Sequence, residues 1–134
     1  MIVVDASVLL AHLDSDDASH ARAEASLLGA AEHPLAASAL TLAEVLVGPA
    51  RAGHLELAKA QLAALEIKEI PVAAGSADRL ARLQVETGLK LPDCCVLLAA
   101  LITSADGLLT FDQKLAKTAQ DLGIGWPADQ VAVS

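Results

Sequence analysis

Short apolar runs alternate with longer stretches of helical periodicity along the whole chain. The runs are short and consist of branched or small apolar residues, which is typical of strands buried in a parallel sheet. They predict four strands, and they allow a fifth near the end of the chain. The predicted strands cover residues 1–4, 35–39, 67–72, 107–111 and 131–133.

Between these runs, apolar side chains recur with the spacing of helices that bury one face. Thr41 is a natural first residue for one helix, which the Gly48-Pro49 pair is expected to stop, and Pro92 fits the first turn of another. The segment 93–103 is apolar on all sides, so its helix should be buried. The predicted helices cover residues 8–13, 18–31, 41–47, 54–65, 76–87, 92–104 and 112–122.

The alternation of strands and helices predicts an α/β fold. In such a fold a parallel sheet carries helices on both faces, and the connections are right-handed. The segment 67–72 alternates apolar and polar residues and contains Pro71, which favours a position near an edge of the sheet. Functional sites in folds of this class form at the carboxyl ends of the strands.

Size and composition predict one globular domain over residues 1–134. Hydrophobic residues make up 54% of the chain and the mean hydropathy is +0.51, which excludes a disordered protein. No apolar run reaches the roughly 18 residues that a membrane span requires, so no membrane association is expected. The start, MIVVDAS, lacks the basic region of a signal peptide, and two cysteines without such a signal predict a cytoplasmic location.

The charge balance is acidic, with a formal net charge of −8. This argues against a nucleic-acid binder that coats phosphates with lysine and arginine side chains. Aromatic side chains are limited to Phe111 and Trp126, so platforms on which bases could stack are scarce as well. A nucleic-acid ligand would therefore require positive charge from another source, for which a divalent cation is the obvious candidate.

Four acidic residues are predicted to lie at one edge of the sheet. Asp5 ends the first strand, and Asp112 lies just past the fourth. Glu44 and Asp93 are each predicted in the first turn of a helix. Because the apolar neighbours of these residues should point into the core, we expect the four carboxylates to lie close together.

Grouped carboxylates repel one another by about 4 kcal/mol per pair at ~4 Å and an effective dielectric constant of about 20. Helix N-termini offset part of this repulsion, and Mg²⁺ or Mn²⁺ offsets more, because hard cations prefer oxygen ligands. Such an ion activates bound water and polarises a phosphoryl oxygen, so phosphodiester hydrolysis is the leading chemistry. The alternative is that these acids are ordinary helix caps, a position that aspartate favours whatever the function.

Four blocks of the sequence resemble, in this order, the four blocks of PIN-domain ribonucleases: IVVDASVLLAHL, ALTLAEVLVGPARAG, LKLPDCCVLLAAL and ADGLLTFDQKLAK. The similarity is greatest to the VapC-type toxins of bacterial toxin–antitoxin pairs, and it extends from residue 2 to about residue 125. It implies a PIN-like three-layer α/β/α sandwich with a central, mostly parallel sheet. It also implies a type II toxin that hydrolyses RNA with water activated by Mg²⁺ or Mn²⁺.

The resemblance further implies roles and partners. The catalytic acids of the family correspond to Asp5, Glu44, Asp93 and Asp112, of which Asp5, Asp93 and Asp112 would hold the metal. Ser7 and Thr110 match the polar positions that support the metal and its waters. The implied partners are an RNA substrate, a second copy of the chain in a homodimer, and a VapB-type antitoxin that blocks the cleft, often with an arginine.

Two adjacent cysteines follow Asp93, where the family usually has small residues. On a helix Cys94 and Cys95 point about 100° apart, so a disulfide between them would distort the backbone. No spacing typical of a zinc site is present. We expect both cysteines to be buried core residues, although a helix N-terminus could lower the pKa of Cys94 and make it redox-sensitive.

The remaining polar groups are expected to have structural roles. The acidic segment 14–20 should be a capping loop rather than a cation site, and Asp106, which precedes the fourth strand, should lie at the opposite edge of the sheet from Asp112. Solvated surface positions are expected for the histidines, which are His12, His20, His33 and His54.

Two rival functions stay open. A phosphatase of the haloacid-dehalogenase type, which forms a phosphoaspartate, would need a second aspartate two residues after Asp5, where this chain has Ser7. A receiver domain would need an acid at the end of the third strand, which is also missing. The other rival is a catalytically inactive module that only binds its partner, against which the complete set of four acids argues.

Overall fold

In a computed structural model, residues 1–128 of the chain are described. They contain a sheet of four parallel strands in the order β3-β2-β1-β4. The predicted parallel sheet and the edge position of its third strand are thus confirmed. The predicted strand at 131–133 lies outside the described residues. The strands are β1 (Ile2–Val4), β2 (Leu35–Ser38), β3 (Lys68–Ile70) and β4 (Gly107–Leu109).

Seven helices accompany the sheet in the described part of the chain, and they agree with the predicted α/β class. None of them is both long and apolar enough to cross a membrane. The helices are α1 (Ala6–Leu13), α2 (His20–Gly29), α3 (Ala39–Ala52), α4 (Leu55–Ala64), α5 (Ser76–Thr87), α6 (Leu91–Ile102) and α7 (Gln113–Asp121).

The two faces of the sheet bury two separate clusters, so the fold has three layers. Side chains alternate along each strand, and β1 therefore sends Ile2 and Val4 to one face and Val3 to the other. The first face packs against α1 to α4, and the second against α5, α6 and α7. As predicted, α6 is buried on all sides over its central residues, from 94 to 100.

Helix α3 is longer than its sequence predicts at both ends. It begins at Ala39, directly after β2, and it continues through Gly48 and Pro49. The prediction that the Gly-Pro pair stops the helix is wrong. The stop is at Gly53, whose φ of 78° ends the helix in the left-handed conformation that glycine adopts without strain.

A short pairing extends the sheet beyond β4. The backbone N–H of Leu108 donates to the carbonyl of Ile124 at 2.7 Å, and the Leu108 carbonyl accepts the N–H of Trp126 at 3.1 Å. The Trp126 side chain packs directly over Gly107, where the Cβ of any other residue would lie 2.7 Å from the Trp126 Cβ. Only glycine therefore fits at the start of β4.

The contact between Gly107 and Trp126 can be tested by substitution. Gly107→Ala should reduce the free energy of unfolding by about 1–3 kcal/mol, because the added methyl group overlaps Trp126. Gly48→Ala is the control: nothing lies within 4 Å of the added carbon, and alanine should stabilise helix α3 by about 0.5–1 kcal/mol. Urea unfolding measures both values, and a Gly107→Ala variant as stable as the parent would contradict the close packing.

Candidate functional site

Asp5 is the buried carboxylate of the site. It follows β1, where its backbone N–H donates to the carbonyl of Leu109 at 2.9 Å, and its side chain is only 7% exposed. Its Oδ2 accepts hydrogen bonds from the hydroxyls of Ser7 (2.8 Å) and Thr110 (2.7 Å). These bonds satisfy an oxygen of a buried carboxylate, and they fix the direction in which the carboxylate points.

The same two hydroxyls hold the loop that follows β4. Ser7 Oγ accepts the backbone N–H of Phe111 at 3.0 Å, and Thr110 Oγ1 accepts that of Asp112 at 3.0 Å. The two hydroxyl oxygens lie 3.3 Å apart. This network ties the end of β1 to the end of β4, so the position of Asp112 depends on the position of Asp5.

Asp112 has a structural role as well as a place in the site. It is the N-cap of α7, and its Oδ1 accepts the backbone N–H of Leu115 at 2.9 Å. The capping interpretation of this aspartate is therefore correct. It does not exclude a second role, since the carboxylate has another oxygen and its charge acts on Asp93.

Asp93 is the acid whose pKa is affected by four other charged residues of the site. Burial raises the pKa of Asp93, and the charges of Asp5 and Asp112 raise it further, while Lys90 and Lys114 act in the opposite direction. The fold therefore brings Asp93 within electrostatic reach of two of the other predicted acids.

Glu44 completes the group. Partial desolvation raises the pKa of Glu44, although the residue is largely exposed, and the charges of Asp5 and Asp93 add to the increase. These interactions place each of the four acids predicted from the sequence within electrostatic reach of at least one other, although their catalytic roles stay predictions.

One detail of the prediction for Glu44 is wrong. Because α3 begins at Ala39, Glu44 lies in the second turn of the helix and not in the first. The favourable effect of a helix N-terminus is confined to the first turn. Glu44 therefore lacks the compensation that Asp93 receives from the first turn of α6.

The donor chemistry of the four acids fits a hard divalent cation, because Mg²⁺ and Mn²⁺ prefer carboxylate oxygens. In residues 1–128, however, no three acidic, histidine or cysteine side chains are close enough together to hold a metal ion. Mg²⁺ usually keeps several water ligands and binds one or two carboxylates directly. The spacing of the site therefore suits a hydrated ion better than a cage of protein ligands.

Two lysines at the rim of the site were not assigned to it from the sequence. Lys90 and Lys114 both act electrostatically on Asp93, and Lys114 Nζ donates to the carbonyl of Gly88 at 2.8 Å. The available signal was their position, since Lys90 precedes Asp93 by one helical turn and Lys114 closely follows Asp112. They place positive charge beside the carboxylates in a chain that is otherwise acidic.

The cysteines are core residues, as predicted. Both are free and buried, and burial raises the pKa of each thiol. The suggestion of a lowered pKa for Cys94 is therefore wrong, and desolvation is the largest cause of the increase. A thiol with a raised pKa is a weak nucleophile at neutral pH.

The other polar groups lie away from the carboxylates. Asp106 is paired with the amino group of Met1 at 2.6 Å, which confirms that it lies at the opposite edge of the sheet. In the loop 14–20, Asp14 and Asp17 accept backbone N–H groups two residues further on, at Asp16 and Ser19. They therefore stabilise turns within the loop, and the predicted helix-capping role is wrong, because the N-cap of α2 is Ser19 and, among the described residues, no side chain caps that helix.

The prediction of solvated histidines is wrong in part. The rings of His12 and His20 stack with centroids 6.3 Å apart, and His33 packs edge-on against Trp126 at 5.1 Å. The first contact links the end of α1 to the start of α2, and the second joins distant parts of the chain, so helical periodicity alone gives no indication of either.

Known proteins resemble this chain both in sequence and in fold. The family model of the PIN domain matches residues 2–121, and no match is found among curated proteins. Among solved structures, Mycobacterium tuberculosis VapC20, described as a toxin that cleaves the sarcin-ricin loop, is similar with a TM-score of 0.71. It is 19% identical, and the match covers 88% of this chain and 95% of that one.

Two further structures are similar over most of their length. A toxin–antitoxin complex from Klebsiella pneumoniae gives a TM-score of 0.67 at 26% identity, over 85% of this chain and 88% of that one. A Pyrobaculum aerophilum protein gives 0.60 at 25% identity, over 92% and 81%. These likenesses agree with the three-layer fold around a parallel sheet.

The hydroxyl of Thr110 should be essential for the geometry of the site. Thr110→Val keeps the shape of the side chain but removes a donor to Asp5 and an acceptor for Asp112, so it should cost about 1–3 kcal/mol of stability. Thr118→Val removes a surface hydroxyl that bonds within α7, and it should cost less than about 0.5 kcal/mol. Equal losses in urea unfolding would show that the Thr110 network does not stabilise the fold.

The raised pKa of Asp93 predicts how stability depends on pH. The folded chain binds this proton more tightly than the unfolded chain does, so the free energy of unfolding falls as pH rises through the interval above about pH 4. In metal-free buffer, Asp93→Asn should therefore raise the Tm at pH 7 by a few degrees, and the difference should shrink as the pH approaches 4.

A matched control for this measurement is Asp78→Asn. Asp78 occupies the same position in α5 as Asp93 does in α6, and its carboxylate pairs with exposed Arg82 at 2.9 Å. Removing it should lower the Tm slightly or leave it unchanged. If both substitutions changed the Tm in the same direction, repulsion among the four carboxylates would not be the cause.

Proposed function

The chain belongs to the PIN-domain family, and from this premise we propose that it is a metal-dependent endoribonuclease, the toxin of a type II toxin–antitoxin pair. The observation that carries the proposal is the group of four carboxylates at the carboxyl edge of the parallel sheet, in which the charge of Asp5 acts on both Glu44 and Asp93 and that of Asp112 acts on Asp93. The similar structures from Mycobacterium tuberculosis and Klebsiella pneumoniae support a toxin of the VapC type.

Asp5, Asp93 and Asp112 are the residues that would hold Mg²⁺ or Mn²⁺, in part through water. When bound, such an ion lowers the pKa of a water ligand and neutralises charge on the phosphoryl oxygens. Asp5 is prepared for this role, because the hydroxyls of Ser7 and Thr110 fix its carboxylate in one direction. Pre-positioned ligands of this kind lose little entropy when they bind.

Glu44 is placed to handle the proton of the attacking water. It lies on the surface of α3, and the charges of Asp5 and Asp93 act on it. It is therefore near the acids that would hold the metal, but it is not part of the hydrogen-bond network that fixes the loop after β4. Water attacks the phosphorus, its proton passes to Glu44, and the bond from phosphorus to the 3′-oxygen breaks. The 3′-oxygen takes up a proton from solvent, which leaves 5′-phosphate and 3′-hydroxyl ends.

Lys90 and Lys114 supply the positive charge that a phosphodiester substrate needs at this acidic edge. Both act electrostatically on Asp93, so they lie close enough to the carboxylates to reach a phosphate bound there. We infer that they contact phosphate oxygens flanking the cleaved bond. We also propose a homodimer, a VapB-type antitoxin that covers the carboxylates, and a cytoplasmic location.

The proposal predicts metal-dependent RNA cleavage that requires Asp93. Purified protein, freed of any co-purifying partner, is incubated with a panel of structured cellular RNAs in Mg²⁺, in Mn²⁺ and in EDTA. Asp93→Asn should reduce kcat/KM by at least about 100-fold, because a ligand lost from the metal site costs more than a supporting residue does. Asp78→Asn, the same change at the same helical position of α5, should leave cleavage unchanged.

Two further readouts separate this proposal from its rivals. A double variant, Cys94→Ala with Cys95→Ala, should stay active, because both thiols are buried core groups. The cleaved ends should be 5′-phosphate and 3′-hydroxyl. Ends with 2′,3′-cyclic phosphate would refute attack by water, and a folded protein that binds an antitoxin but cuts no RNA would favour the inactive module.

A further inference from the structure

We propose that a cavity beside the carboxylates binds a base of the RNA substrate, next to the bond that is cleaved. The inference rests on the proposed ribonuclease function and adds to it a place for one part of the substrate. The cavity has a volume of about 310 Å³, which is within the range of sites for small organic ligands. We call it the base cavity; it lies between α2, the end of β4, α7 and residues 125–128.

The base cavity shares a wall with the carboxylate site. Thr110 and Phe111 line it, and both belong to the loop that the hydrogen-bond network fixes. Thr110 Oγ1 donates to Asp5, and the backbone N–H of Phe111 donates to Ser7. If the phosphate of a nucleotide bound at the carboxylates, the base cavity would therefore lie on the other side of this loop from the phosphate.

The aromatic residues of the chain meet in this cavity. The sequence contains one phenylalanine, one tryptophan and no tyrosine, and Phe111 and Trp126 both line the cavity. The guanidinium carbon of Arg22 lies 4.1 Å from the centre of the Phe111 ring. Nucleobases stack on aromatic rings and on guanidinium planes, so the scarcity of aromatic residues does not exclude base stacking here.

Helix α7 adds hydrogen-bonding groups to the wall. Gln113, Ala116 and Gln120 follow one another along one face of the helix and line the cavity. The two amides each offer donors and acceptors, which suits the edge of a base, and the small side chain of Ala116 leaves room between them. Trp126 Nε1 is in addition a buried donor with no hydrogen-bond partner in the described part of the chain.

The charges of the cavity favour a nucleotide over a basic side chain of a protein partner. Arg22 lines it, and no acidic residue is among its described lining residues, which favours a ligand that carries negative charge over an inserted arginine or lysine. The net charge of −8 also limits how much affinity phosphate contacts can supply. A base held in this cavity would contribute affinity that depends little on salt.

Binding of free nucleotides tests the inference without requiring catalysis. The indole N–H resonance of Trp126, the one tryptophan of the chain, is followed by NMR in EDTA during titration with AMP, GMP, CMP and UMP. At least one nucleotide should shift the resonance with saturation. Ribose 5-phosphate and inorganic phosphate should not, because they lack the base.

Two substitutions of alanine by leucine provide the matched pair. Ala116→Leu fills the cavity and should weaken nucleotide binding by about tenfold or more. Ala81→Leu makes the same change at an exposed position of α5 and should have no effect. If Ala116→Leu fails to fold, Gln113→Ala replaces it, since Gln113 is exposed and its loss should still weaken binding severalfold.

The outcomes distinguish this inference from the proposed function. Nucleotide binding that survives Asp93→Asn while cleavage is lost would support both. RNA cleavage without a saturable shift for any nucleotide would overturn the base cavity alone, as would a response to free arginine in place of nucleotides. Nucleotide binding without cleavage would support the cavity and contradict the nuclease.

Discussion

The structure of the site depends on one buried interaction, the acceptance of two hydroxyl hydrogen bonds by the Asp5 carboxylate. Ser7 reaches it from the first turn of α1, and Thr110 reaches it from the end of β4. A carboxylate that is 7% exposed would be costly without such partners. The same hydroxyls also accept backbone N–H groups. The Asp5 carboxylate, the loop after β4 and the start of α7 are therefore held as one unit.

Two of the helices that carry the acids offset part of the repulsion among them. Asp93 and Asp112 lie at helix starts, where the backbone dipole favours negative charge, whereas Glu44 lies one turn further along its helix and lacks this compensation. Arrangements of this kind sacrifice stability for function. Burial of the apolar clusters on both faces of the sheet supplies the stability that offsets this repulsion.

Much of the fold follows from local patterns. The buried strands were predictable from short apolar runs, and the four acids from their positions after strands and near helix starts. The limits of α3 were not, because packing carries the helix through Pro49 and the left-handed Gly53 ends it. The base cavity was equally hidden, since Arg22, Phe111 and Trp126 come from separate segments and only the fold brings them together. The extent of a single domain over 1–134 stays a prediction.

The edges of the sheet have a consequence for how this protein can associate with others. At one edge, β3 exposes the charged side chains of Lys68 and Glu69 and is followed by Pro71, which cannot donate a backbone hydrogen bond. At the other edge, residues 124–126 already pair with Leu108. Within residues 1–128, both edges are therefore poor templates for an added strand from another chain. A protein partner of this fold would therefore bind through side chains rather than through backbone pairing, so the shape and charge of its side chains would decide which protein is accepted.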